Sequence, residues 1–95
     1  MNKKLKILIV DDNTGLAHNL NDILKENGYK TAVALDGQSA IKLCRKREFS
    51  LALVDIKLPD ISGLKLTEKL SDSSSTMEYI IITGHSTIDR EWRST

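Results

Sequence analysis

The sequence predicts a single α/β domain built from parallel βαβ units, and three observations carry that prediction. Short, unbroken aliphatic runs alternate with longer segments whose apolar residues recur at helical spacing. Two of the aliphatic runs end at aspartate and another at Thr83-Gly84, so polar residues gather at one end of the strands. The composition is that of an ordinary globular chain, with 95 residues, 40% hydrophobic and 28% charged, and no repeat of fixed period.

Ile7-Leu8-Ile9-Val10 reads as a strand buried on both faces, because it is aliphatic without alternation. Leu16, Leu20, Ile23 and Leu24 then recur at helical spacing, and Gly28 stands where a left-handed C-cap would end the helix. Tyr29 to Leu35 alternates in part and carries Thr31 and Val33, which predicts a second strand closed by the turn pair Asp36-Gly37. In the next helix Ala40, Ile41 and Cys44 share one side, with Lys42, Arg45, Lys46 and Arg47 on the solvated side. Leu51 to Val54 is a third strand, ending at Asp55. Pro59 and Gly63 punctuate the following loop, and a helix from about Gly63 to Leu70 buries Leu66 and Leu70. Ser71 to Thr76 has nothing to bury and is predicted to be a mobile loop. Tyr79 to Ile82 is a fourth strand, running into Thr83-Gly84.

Several function classes are disfavoured at once. A formal net charge of +1 lacks the basic surplus of a dedicated nucleic-acid binder, and Lys3, Lys4 and Lys6 read as a solvated terminus. Cys44 is the sole cysteine, so no internal disulfide or multi-cysteine metal site forms, and the expected compartment is the reducing cytoplasm. No run approaches the roughly 20 apolar residues of a membrane span, and Ile7 to Val10 is too short for a signal-peptide core. Cys44 reads as a small core residue, His18 as solvated, and His85 as a loop residue without a catalytic role. No Gly-rich phosphate loop follows any strand.

In open parallel sheets ligands bind outside the carboxyl ends of the strands, so Asp11, Asp12, Asp55 and Thr83 are expected to converge. The plainer reading of Asp12 is a turn former or helix N-cap. Three carboxylates packed together repel one another unless a cation neutralises them, and hard oxygen ligands open to water suit Mg²⁺. The ligand spacing of a calcium-binding EF-hand is missing, and neither histidine has the partners zinc would need.

These residues carry a close resemblance. The chain resembles the receiver domain of two-component response regulators: Val10-Asp11-Asp12-Asn13 is similar to the family's acidic pair after the first strand, and Leu53-Val54-Asp55 to its phosphoacceptor. Pro59 and Gly63 resemble its loop signature, and Ile81-Ile82-Thr83-Gly84 its switch hydroxyl. The resemblance runs from about residue 5 to residue 89, with 90–95 a divergent or truncated tail of a single domain expected to span 1–95.

The resemblance implies a doubly wound, flavodoxin-like, three-layer sheet with strand order 2-1-3-4. It makes Asp55 the acceptor of a phosphoryl group from a sensor histidine kinase or phosphotransfer protein. Asp12, Asp55 and the backbone carbonyl of Lys57 would hold Mg²⁺ directly, Asp11 through water, and Thr83 with the Gly84 N–H would bind a phosphoryl oxygen. The family carries a catalytic lysine at the end of a fifth strand; this sequence ends without that strand, the fifth helix or the lysine. Two alternatives remain at this point: a pseudo-receiver or dimerisation module that does not switch, and a small aspartyl phosphatase. The phosphatase family places a second aspartate two residues after the first, where this chain has Lys57. The expected partners are the phosphodonor and a second copy of the chain, through Ile80, Ile82, Ile88 and Trp92, without direct contact to nucleic acid or membrane.

Overall fold

A computed structural model describes residues 5–73 and 76–82. Its elements run β1 (Lys6–Val10), α1 (Thr14–Glu26), β2 (Lys30–Ala34), α2 (Gly37–Lys46), β3 (Leu51–Asp55), α3 (Gly63–Ser73) and β4 (Glu78–Ile82). The four strands form one parallel sheet in the order β2-β1-β3-β4, the order the resemblance implies. β1 is central, and Ile7 to Val10 are buried on both faces, which is why that strand is aliphatic throughout.

Strand alternation divides the core in two. Ile7 and Ile9 pack with Ala17, Leu20 and Leu24 of α1 on one face. Leu8, Val10, Ala52 and Val54 pack on the other face with Ala40 of α2 and Leu66 and Leu70 of α3. This is the distribution that right-handed crossovers impose on the strand order 2-1-3-4.

Local chemistry fixes the helix ends. Asn13 caps α1 by accepting the Leu16 N–H at 3.0 Å. At the other end Gly28, at φ 92°, takes the left-handed conformation predicted for it; its N–H donates to the Lys25 carbonyl and the Tyr29 N–H to the Leu24 carbonyl.

Three expectations need correction, and two core residues were not anticipated. Ile23 is 54% exposed, because it lies about 90° around α1 from the face centred on Ala17, Leu20 and Leu24; the buried residue is Ala17. Asp36-Gly37 is not a turn pair but the start of α2, with the Asp36 carboxylate accepting the Ser39 N–H at 2.8 Å. Residues 71–73, expected in a loop, continue α3 beyond buried Leu70, and the Ser71 hydroxyl bonds back to the Glu68 carbonyl. Finally, Phe49 and Met77 are buried just outside the strands, where they seal the end of the α2/α3 face. β4 is an edge of the sheet among the described residues, and Ile80 on it is 49% exposed. Thr83, Gly84, His85, Ile88 and Trp92 lie outside the described residues. No described helix is long and apolar enough to cross a membrane.

Candidate functional site

Parallel pairing of β1 with β3 sets Val10 beside Val54, so the residues that follow each strand emerge side by side at one edge. Asp11, Asp12 and Asp55 each offer a carboxylate oxygen there, all within 4.8 Å of one another. Asp11 and Asp55 are 2% and 3% exposed, whereas Asp12 is open to solvent. The expected convergence of the three acids is therefore observed.

The surroundings say what the cluster can do. The Asp11 N–H donates to the Ala34 carbonyl at 3.0 Å, and Asp11 Oδ1 accepts the Asn13 N–H at 3.0 Å, which fixes the turn into α1. Because Asn13 is the N-cap, Asp12 is released from that duty and its carboxylate is available to a ligand. Asp55 Oδ1 is buried without a hydrogen-bond partner among the described residues. A buried carboxylate oxygen lacking a donor and crowded by two further carboxylates is unfavourable on its own. A hard divalent cation would satisfy it, and the all-oxygen donor set fits Mg²⁺.

The loop after Asp55 is held tightly against it. The Gly63 N–H donates to the Ile56 carbonyl at 2.8 Å, and Lys57 pairs with Ser62 in an antiparallel bridge. A Cβ at Gly63 would lie 2.3 Å from the Asp55 carbonyl oxygen, so only glycine admits this approach. Pro59 is exposed, and its neighbour has a role that no sequence motif marks: Asp60 accepts the N–H groups of Gly37 and Gln38 at 2.8 and 3.0 Å. Asp60 thus ties the loop of the phosphoacceptor candidate to the N-terminus of α2, a contact that no local pattern encodes.

On the fourth strand Ile82 pairs with Asp55, and Thr83 and Gly84 follow it in sequence, outside the described residues. His18 is exposed, as expected, and burial pushes the half-buried Cys44 thiol up from its ordinary pKa, which suits an inert packing role.

Comparison with known proteins agrees with this geometry. A response regulator receiver protein of Anaeromyxobacter sp. (strain Fw109-5) is 38% identical over 80 residues, which are 84% of this chain and 34% of that protein. The sporulation initiation phosphotransferase F of Bacillus subtilis is 32% identical over 84 residues, covering 88% of this chain and 68% of its own length. This chain therefore spans about a third of the first relative and two thirds of the second. Among solved structures, a CheY-like receiver domain from Methanospirillum hungatei JF-1 superposes with a TM-score of 0.84 at 34% identity, over 97% of this chain and 74% of that one. A Burkholderia pseudomallei response regulator, determined with a phosphorylated aspartic acid, a calcium ion and citrate, gives 0.81 at 31% identity over 87% and 48% of the two chains. Since residues 7–93 match the response regulator receiver domain as a family, the chain belongs to that family.

Proposed function

We propose that this domain is a phosphoacceptor switch in a two-component relay, with Asp55 as the residue modified. The observation that carries the reading is the Asp11, Asp12 and Asp55 cluster, in which the buried Asp55 Oδ1 has no hydrogen-bond partner among the described residues. An Asp55 carboxylate oxygen attacks the phosphorus of a phosphohistidine on a sensor histidine kinase or phosphotransfer protein; the P–N bond breaks, and the histidine nitrogen leaves with its electron pair. Asp12, Asp55 and the Lys57 carbonyl would hold Mg²⁺, with Asp11 acting through water, and the cation would supply neutralisation of charge on the phosphoryl oxygens. Thr83 and the Gly84 N–H receive a phosphoryl oxygen. The phosphorylated aspartic acid and calcium ion in the Burkholderia relative support both the acceptor and the metal assignment by analogy.

The domain acts on its own side chain and turns over no separate substrate, so its role is signalling in the cytoplasm. Exposed Ile80 on the β4 edge also supports self-association through that strand, which light scattering at micromolar concentration tests directly. Mass spectrometry after incubation with acetyl phosphate and Mg²⁺ should find one phosphoryl group on the wild type and none on Asp55→Asn. Equal labelling of both would remove Asp55 from the role, and an unlabelled wild type would leave a pseudo-receiver that keeps the fold without switching.

A further inference from the structure

The opposite end of the sheet carries charge of the other sign. Lys6 begins β1 and Lys30 begins β2, and the two are directly paired in the parallel register. Alternation puts both side chains on the face covered by α2, since Leu8 and Val10 of β1 and Ala32 and Ala34 of β2 face that side. The C-terminal turn of α2 ends over them with Lys46 and Arg47. These four cations line one cavity of about 480 Å³, together with the single carboxylate of Glu48 and a floor made by buried Phe49.

Part of this charge has an ordinary explanation. Lys46, in the last turn of α2, complements the negative end of the helix dipole. That account does not reach Lys6 and Lys30, which belong to strands. Like charges side by side on neighbouring strands repel one another. None of the four cationic side chains has an ion pair or hydrogen bond among the described residues. The four exposed cations thus surround one cavity with Glu48 as the sole carboxylate in its lining, an arrangement that an anion seated among them would complement.

The geometry points to a second ligand site here, for a compact polyanion of the condensed-phosphate class, either a free tripolyphosphate or the phosphate chain of a nucleotide. The cavity lies within the size range of small-molecule sites, and a bound anion of several charges is the chemistry that four cations lining one cavity select. β1 is five residues long, so the site stands about 15 Å from the acidic cluster, and the two can be occupied independently.

Titration of the intact chain with sodium tripolyphosphate tests this by calorimetry and backbone amide shifts, with EDTA present and salt at about 0.1 M to screen diffuse attraction. The expected result is saturable binding with shifts at residues 6, 30 and 46–49, weakened at least about tenfold in the double variant K6Q/K30Q. The same variant should unfold at an equal or higher temperature without ligand, because the opposed lysines no longer repel; a merely structural role would lower it. Asp55→Asn should bind tripolyphosphate like the wild type. Tighter binding of ATP than of tripolyphosphate would identify a nucleotide as the occupant, and equal binding the free phosphate chain. Failure to saturate, undiminished affinity in K6Q/K30Q, or shifts confined to the Asp55 end would overturn the proposal.

Discussion

Gly63→Ala perturbs the candidate site without touching one of its carboxylates. The added methyl would lie 2.3 Å from the Asp55 carbonyl oxygen, 2.9 Å from the Ile56 Cα and 3.0 Å from the Asp55 carbonyl carbon. All three are backbone atoms, so no side chain can swing aside. Restoring an ordinary contact requires the strand end and the start of α3 to part by roughly 1 Å, which breaks the 2.8 Å bond from the Gly63 N–H to the Ile56 carbonyl. Overpacking of this kind costs about 3 kcal/mol at the upper end of its usual range. For a domain of this size that corresponds to a fall of about 12–24 °C in thermal midpoint. Far-UV circular dichroism measures the midpoint, and a Mg²⁺ titration of the folded variant should find weaker binding because Asp55 has moved. Gly15→Ala is the matched control: its methyl meets only Asn13 Oδ1, at 3.5 Å, and in α1 it should stabilise by about 0.5–1 kcal/mol. A Gly63→Ala midpoint within about 2 °C of the wild type would refute the close-approach argument.

Asp12→Ala should weaken Mg²⁺ binding more than Asp11→Ala, by roughly 1–3 kcal/mol for the lost charged ligand, and calorimetric affinities unchanged in both variants would exclude a metal site here. Asp60→Ala removes the acceptor of two N–H groups at the start of α2 and should cost about 1–2 kcal/mol in urea unfolding; an unaltered midpoint would count against the tie between loop and helix. The hydrogen bonds from Ser39 hold the Asp36 carboxyl below the ordinary aspartate pKa. Its stabilising contribution is therefore full above the unfolded-state value and is lost as pH falls through the lower folded one. Asp36→Asn keeps an acceptor but no charge, so its stability should decline less steeply on acidification, and an identical acid limb would contradict the assignment.

Much of the fold and half of the site were legible in the residues because they follow from short-range rules. A strand buried on both faces must be aliphatic, and a residue just past its carboxyl end must sit at the sheet edge, so Asp11, Asp12 and Asp55 could be placed from Ile7 to Val10 and Leu51 to Val54 alone. Gly28 was legible for the same reason, being the one residue suited to a left-handed helix end. What stayed hidden depends on approach in space. Asp60 caps a helix more than twenty positions earlier in the chain, and only the folded loop brings it there. Lys6 and Lys30 look like scattered surface charge until the register pairs them. Phe49 and Met77 are single apolar residues in polar stretches, with no periodicity to mark them as core. The α3 residues 71–73 were missed because a serine-rich string resembles a loop, yet helical hydrogen bonds carry on past the last buried leucine.

The central place of β1 bears on when the site comes into being. β1 joins β2 through a short crossover, but its junction with β3 spans a longer stretch: Lys6 and Ser50, bonded across that junction, are 44 positions apart, and the same interval separates Asp11 from Asp55. Closing the longer loop sacrifices more chain entropy, and the last increment of that closure forces three carboxylates together against their repulsion. A chain that has collapsed around β1, α1 and β2 alone holds Asp11 and Asp12 without Asp55 and so has no acidic cluster. Formation of the candidate site is thereby tied to completion of the sheet, and a copy in which β3 has not joined β1 lacks it.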